Sequence, residues 1–231
     1  MQQTPVDPLK ITTHETHFLH TVEFFERDPC LIAAGLSAID LSIIHGALGL
    51  STEIWEYKQA KTIKNRREEL GDAFWYLNLI YYRAVETYNG LLPTGLLDRV
   101  YYDLRKQQDS PNYSEWLRDQ TLMGTAMTIQ DAVKSLTMYM SGTDCSNPES
   151  ENYLKMVEKV KVLLTNCIVL RDLLEIECAV QNFDLEHILR INHAKLAKRY
   201  RDKAFTSDAA LNRDLAAEEE VLAAHCSTAE G

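Results

Sequence analysis

The segment from His45 to Tyr82 constrains the fold most, because it sets two pairs of acidic residues in otherwise apolar helical sequence. Glu53 and Glu56 are three residues apart, as are Glu69 and Asp72, so each pair projects from one side of its helix. Apolar residues flank both pairs: Leu48, Leu50, Ile54 and Trp55 around the first, and Leu70, Ala73, Phe74, Trp75 and Leu77 around the second. The pattern predicts two packed helices with carboxylates directed into a shared space.

The basic stretch from Lys58 to Arg66 separates the two pairs and is the expected position of the turn. Helices that return antiparallel there would bring four carboxylates face to face, and burying unpaired charges is costly and raises carboxyl pKa values. A hard divalent cation removes this conflict. Mg²⁺, or Mn²⁺ in its place, prefers carboxylate oxygens and takes waters and substrate phosphates as its remaining ligands. The spacing alone also fits a solvated acidic helix face.

Length and charge narrow the class of protein. The 231 residues are enough for one domain with a substantial core. The net charge of -10 argues against a general basic surface for nucleic-acid polymers or anionic membranes. No apolar run approaches the roughly 18 residues of a membrane span, and Met1 to Thr13 lacks a signal-peptide pattern. We therefore expect a soluble, cytoplasmic protein.

The cysteines and histidines are not spaced as the ligands of a zinc site would be. Five scattered cysteines include no C-x-x-C pair, so they are expected to be reduced thiols. His14, His17 and His20 share a helical stripe in the polar N-terminal region, which is typical of a partly exposed helix face.

Scarce glycine and proline, together with long periodic segments, predict an all-α chain. The expected helices are 15–27, ending before Asp28-Pro29, then 36–60, 65–88, 96–106, a long helix from a Ser114 cap to about Met140, 150–179, a helix capped by Asp184, and 209–224. Gly46 and Gly49 inside the second of these indicate either close approach of a neighbouring helix or a break before the acidic pair.

Two groups of residues that include lysines and arginines could bind an anion. Asn192, Lys195 and Arg199 recur every three or four residues and so line one helix face, which fits phosphate or base recognition or a solvated cationic face. The turn between the acidic pairs could hold a polyphosphate tail or be an ordinary solvated turn; its cations are Lys58, Lys61, Lys64, Arg66 and Arg67.

Three segments together resemble a known family: HGALGLSTEIWE, EELGDAFWYL and INHAKLAKRYRDKAFTSDAALNRDLAAE. They look like the MazG-like, all-α nucleoside triphosphate pyrophosphohydrolases, which carry E-x-x-E, about a dozen or more residues, and then E-x-x-D. In a phage and bacterial branch, N-x-x-K-L-x-x-R-Y and then N-R-D follow. The matching positions here are Glu53, Glu56, Glu69 and Asp72, then Asn192, Lys195, Leu196, Arg199 and Tyr200, then Asn212, Arg213 and Asp214.

The resemblance implies a single MazG-like helical bundle over 1–231, with its core in 36–90 and 184–220 and a large helical insertion at about 91–183. It also implies a homo-oligomer, either dimer or tetramer, and a host cytoplasmic location if the chain comes from a phage. Two departures concern the pocket: Thr52 and Trp55 stand where family members often have small glycines, which narrows the space beside the first pair.

The activity implied is Mg²⁺-dependent hydrolysis of a nucleoside triphosphate, with or without the 2′-hydroxyl, to the monophosphate and pyrophosphate by attack of water on the α-phosphorus. The four carboxylates would bind metal and act in catalysis, with Glu53 the preferred general base. Substrate contacts fall to Asn192, Lys195, Arg199 and Tyr200, and the candidates to stack on the base are Trp55, Phe74 and Trp75. The alternatives are hydrolysis of an alarmone such as guanosine tetraphosphate, or a non-catalytic helical protein that binds a nucleotide or another protein.

Overall fold

A computed structural model describes residues 39–89, 95, 121–140, 147–200, 214–218 and 220. Its helices are α1 Leu41–Gln59, α2 Ile63–Tyr88, α3 Leu122–Tyr139, α4 Glu151–Val180 and α5 Leu185–Arg199. No strand occurs among the described residues, so the predicted all-α class is confirmed. None of the described helices is long and apolar enough to cross a membrane. The predicted helices 15–27 and 96–106 and three cysteines, Cys30, Cys145 and Cys226, lie outside the described ranges.

A side-chain oxygen at the N-cap satisfies an otherwise unpaired amide at the start of each helix. The predicted cap of α5 is confirmed, since Asp184 accepts from the His187 amide at 3.3 Å. Ser150, predicted only as the start of its helix, is the N-cap of α4 and accepts from the Tyr153 amide at 3.1 Å. The predicted start of α3 at Ser114 is wrong. Thr121, with extended backbone angles, caps this helix instead, so it begins at Leu122.

Helices α1 and α2 form an antiparallel pair joined by residues 60–62. Gly46 lies against Ile80 and Gly49 lies against the Tyr76 ring; an added Cβ would come within 2.7 Å and 2.4 Å of these side chains. Because α1 continues unbroken through both glycines, they serve close helix packing and mark no break. This close approach sets how near the acidic residues of the two helices come to one another.

Helices α3 and α4, from the block between the acidic pairs and the C-terminal motif, share the core of α1 and α2. Helix α3 packs on α1, and α4 packs on both α2 and α3. One buried apolar cluster includes Leu50 of α1, Leu77 of α2, Ile129 of α3 and Leu163 of α4. Helices α3 and α4 therefore support α1 and α2, the two helices that carry the acidic residues.

The turn between α4 and α5 directs the C-terminal motif onto α2. Asn182 has a positive φ of 55°, and the amide of Phe183 donates to the Cys178 carbonyl at 2.8 Å, a helix ending that asparagine tolerates well. Helix α5 then packs along α2. Of the predicted last helix, residues 215–218 and 220 are described as helical, with the Asp214 side chain accepting from the Ala217 amide at 3.0 Å.

Candidate metal centre and adjoining cleft

Three carboxylates from α1 and α2 meet across the helix pair. Glu53, Glu69 and Asp72, here called the acidic triad, each offer an oxygen within 4.8 Å of the others. All three side chains are half-buried. The antiparallel pairing predicted from sequence therefore does bring acidic residues of the two helices together.

The crowding changes the protonation of the triad. Burial, and then the negative charge of Asp72, raises the pKa of Glu53 to about 9. Burial also raises the pKa of Glu69, to about 7, although its hydrogen bond with Glu53 opposes the rise. A hydrogen bond between two carboxyl groups needs one proton, so without a cation Glu53 and Glu69 share a proton at neutral pH.

Glu56, the remaining acidic residue of the sequence pattern, lies outside the triad. Its side chain is exposed, although its charge still contributes to the raised pKa values of Glu53 and Glu69. The structure therefore brings together three of the four predicted carboxylates and leaves the fourth at the solvent edge, one helical turn from Glu53.

Asp72 is fixed from the other side by two residues of α5. Its two oxygens accept from the Asn192 amide and from the Lys195 ammonium, each at 2.5 Å. Lys195 also donates to Glu68 at 3.1 Å. Gly71 allows this contact, since a Cβ there would lie 2.9 Å from the Asn192 Cβ. Sequence reasoning missed Glu68, although it lies one turn before Asp72 and shares a helix face with it.

Lys195 is fully buried, at 0% exposure, whereas a lysine that binds a ligand from solvent would be exposed. Burial opposes the charged form, but the carboxylates of Asp72 and Glu68 outweigh burial and raise the pKa of Lys195 above its ordinary value. Lys195 and Asn192 thus lie at the predicted site, but they contact the acidic residues of α2 directly.

Arg199 points toward the C-terminal segment. It donates two parallel hydrogen bonds to Glu218, at 2.8 Å and 2.7 Å, and both side chains are largely buried. Such a bidentate pair is strong and geometrically specific. Arg199 therefore joins α5 to the segment 214–218, whereas the adjacent Tyr200 lines a cleft beside the triad.

The predicted stacking residues take three different positions. Phe74 is buried in the core at 4% exposure, and Trp55 is 56% exposed on α1. Trp75 lines the same cleft as Tyr200. Tyr76, which sequence reasoning missed, lies beside the triad: burial, together with the charges of Glu53 and Asp72, raises its pKa.

The basic turn between the acidic pairs has structural contacts at two of its residues. Arg66 donates to the Ala60 carbonyl at 3.2 Å and to Gln181 at 3.4 Å, and the Arg67 guanidinium lies 5.0 Å from the Phe183 ring centre. These contacts hold the start of α2 against the α4–α5 turn. Lys58 and Lys61 are exposed.

A cleft of about 570 Å³ opens between α2 and α5. Two of its lining residues adjoin the triad: Gly71 is the chain neighbour of Asp72, and Asn192 donates to Asp72. Its other lining side chains include Trp75, Asn78, Leu189, His193, Leu196 and Tyr200.

The triad fits a hard divalent cation. Its donors are all carboxylate oxygens, the ligand type that Mg²⁺ and Mn²⁺ accept. The shared proton and the raised pKa values show the electrostatic conflict that a doubly charged ion would relieve in the proton's place. Asp72, already oriented by α5, would keep its direction as the ion enters.

This geometry predicts how stability depends on pH. Folded protein holds a proton on Glu53 up to about pH 9, whereas in the unfolded chain Glu53 has its ordinary value of 4.5 and releases the proton. Raising the pH from about 5 to 9 therefore favours the unfolded chain. In metal-free buffer, the urea midpoint of the wild type should fall over this range relative to that of Glu53→Gln, which carries no titrating group there.

Adding Mg²⁺ or Mn²⁺ should remove that pH trend in the wild type, because a cation binds the ionised carboxylates of the folded state. Glu86→Gln, an exposed substitution on α2, serves as the control and should follow the wild type at every pH. Parallel pH profiles for wild type and Glu53→Gln would contradict the shared proton.

Comparison of the chain with protein-family models, with curated protein sequences and with solved structures finds no match. A proposed function therefore depends on the residues of this chain and on the geometry described above.

Proposed function

We propose that the protein is a divalent-metal-dependent nucleoside triphosphate pyrophosphohydrolase, similar in activity to the MazG-like enzymes that its motifs resemble. It would cleave its substrate between the α- and β-phosphates, giving a nucleoside monophosphate and pyrophosphate. The observation that carries the proposal is the acidic triad, which crowds carboxylates beside a cleft large enough for a nucleotide.

Phosphoryl-type displacement needs positioning and charge neutralisation more than covalent help. Glu53, Glu69 and Asp72 would hold Mg²⁺ or Mn²⁺, and Glu56, exposed one helical turn from Glu53, would support them from outside the triad. The ion, when bound, supplies the positive charge that neutralises phosphate oxygens and activates water. Glu53 would accept the proton of the attacking water as the general base.

Residues of α5 would act on this site through Asp72. Lys195 and Asn192 fix both oxygens of Asp72, so the carboxylate meets a cation in one orientation. Lys195 also adds a permanent positive charge beside the triad, which lowers the repulsion that an incoming polyphosphate would meet. Tyr200 contributes to the cleft wall, and Arg199 holds the segment 214–218 through Glu218.

Assembly into a homo-oligomer remains part of the proposal. Leu41, Leu48 and Trp55 are seven residues apart on α1, and all three are more than half exposed. Residues at this spacing lie on one side of a helix, where they could pack against a second copy of the chain.

The experiment is a substrate panel. Purified protein is incubated with Mg²⁺ and with canonical and modified nucleoside triphosphates and guanosine tetraphosphate, and pyrophosphate is detected as phosphate after added pyrophosphatase. Reactions run in ¹⁸O-water should place the label in the nucleoside monophosphate, because water attacks the α-phosphorus. Label in the pyrophosphate would contradict that point of attack.

Inactivity toward the whole panel, with Mg²⁺ or Mn²⁺ present, would overturn the enzymatic proposal and leave nucleotide or protein binding as the alternative. Release of pyrophosphate from guanosine tetraphosphate alone would instead assign the triad to alarmone cleavage. Chelation of the metal by EDTA should stop any turnover, because the carboxylates of the triad cannot themselves neutralise the negative charge of the phosphates.

A further inference from the structure

The cleft between α2 and α5 differs in charge from the triad that it adjoins. None of its lining side chains is an aspartate, glutamate, lysine or arginine, whereas the triad, which includes the residue next to Gly71, consists of three carboxylates. A ligand that fills both places must therefore have an uncharged part joined to an anionic part that a cation can accept.

The side chains that line the cleft indicate which kind of uncharged group it would bind. Trp75 and Tyr200 supply aromatic surface, and Leu189 and Leu196 supply apolar surface. Aromatic side chains bind flat heteroaromatic rings by stacking, with little dependence on the identity of the ring.

Polar groups stand among these apolar walls. The Asn78 side chain is exposed and carries both a hydrogen-bond donor and an acceptor, and His193 is exposed on the facing helix. A few polar groups in a mainly apolar pocket fix the orientation of a bound small molecule. An amide can pair with the edge of a nucleobase, which offers donors and acceptors side by side.

We infer that this cleft is the nucleoside subsite: the base stacks on Trp75, its edge faces Asn78, and the sugar lies toward Gly71 and Asn192. The α-phosphate then meets the triad at Asp72. This inference rests on the proposed function for the identity of the substrate, and it assigns the direction in which the nucleotide lies along α2.

Trp75 offers a direct test of binding that needs no turnover. The chain has three tryptophans, so replacing Trp55 and Trp116 with phenylalanine leaves Trp75 as the only one. A nucleoside monophosphate stacked on this ring should quench its fluorescence saturably, with metal absent or present. Ribose 5-phosphate, which has the sugar and the phosphate but no base, should not quench at the same concentrations.

Variants locate the subsite. Trp75→Leu should weaken nucleotide binding, or raise KM, by at least about fivefold, the lower end of the loss expected for one stacked base. Tyr82→Leu, an exposed aromatic position on the same helix outside the cleft, should bind as the wild type does. Ala197→Phe places a ring in the cleft from an exposed position, so it should weaken binding at little cost to folding.

The outcomes separate this inference from the proposed function. Pyrophosphate release with KM unchanged in both Trp75→Leu and Ala197→Phe would overturn the subsite and leave the activity standing. Base-dependent quenching without turnover of any nucleotide would keep the subsite and overturn the enzymatic proposal. Equal quenching by ribose 5-phosphate and by nucleotides would overturn base stacking on Trp75.

Discussion

Replacing Glu53 with glutamine is expected to lower kcat/KM for nucleoside triphosphate hydrolysis by about 10³-fold or more without lowering stability, because loss of a single transition-state contact can already cost 10²- to 10³-fold. Glutamine is the same size as glutamate and can donate a hydrogen bond to Glu69, as protonated Glu53 does. It cannot contribute a negative charge to a cation, and it cannot accept a proton from water.

The same activity loss is expected for Asp72→Asn and Glu69→Gln, since each removes one charge from the triad. Three measurements separate the effects. Initial rates at saturating Mg²⁺ report catalysis, calorimetric titration with Mn²⁺ reports metal binding, and urea unfolding at pH 8 reports folding stability. At that pH the metal-free Glu53→Gln protein should be at least as stable as the wild type, because it bears no carboxyl that must stay protonated.

Glu56→Gln is the informative comparison. The sequence pattern assigns Glu56 the same ligand role as Glu53, but the structure leaves its side chain exposed and outside the triad. A loss of about 10-fold, typical of a group that supports a metal site from outside, is expected for this variant. Near-normal turnover in Glu53→Gln and Asp72→Asn, with Mg²⁺ present, would rule out the proposed centre.

The sequence was informative about local structure because helix signals act over a few residues. The side-chain cap at Asp184 and the start of α4 near Ser150 depend on neighbours within one turn, and the structure has both as predicted. The start of α3 was missed because Ser114 and Thr121 are both good N-cap residues, and local sequence does not decide between them.

The candidate site could be predicted only in part, since it joins elements far apart in sequence. The spacing of the acidic residues shows which of them share a helix face, but not which distant helix covers that face. Lys195 meets Glu68 and Asp72 only because α5 folds back onto α2. The cleft depends on the same packing, which explains why Trp75 lines it together with Tyr200, whereas Trp55 and Phe74 do not.

The role of Gly46 and Gly49 also could not be decided from local sequence. Their positions indicated either a helix break or a close approach, and the choice depended on the side chains of a second helix. Ile80 and Tyr76 of α2 occupy the space that larger residues would need. Close approach then brings Glu53 near Glu69 and Asp72, so the small residues and the acidic triad belong to one packing arrangement.

Lys195→Met is expected to destabilise the metal-free protein by about 3 kcal/mol, the lower end of the cost of breaking a buried ion pair. Methionine fills most of the same volume, so the loss comes from leaving Asp72 and Glu68 without a positive charge rather than from a cavity. Both carboxylates keep about a fifth of their side-chain surface exposed, at 20% and 22%, so water offsets part of the cost. Urea unfolding at neutral pH measures the change.

Mg²⁺ or Mn²⁺ should restore part of that loss, because a cation at the triad supplies the charge that Lys195 no longer provides. Lys198→Met makes the same substitution at an exposed position of α5 and should change stability by no more than about 0.5 kcal/mol. Kinetics then define the role of Lys195. If it acts by orienting Asp72, kcat should fall with little change in KM, whereas a rise in KM alone would indicate direct contact with the nucleotide. Equal stability of the Lys195 and Lys198 variants would mean that the buried ammonium does not hold the α2–α5 pair together.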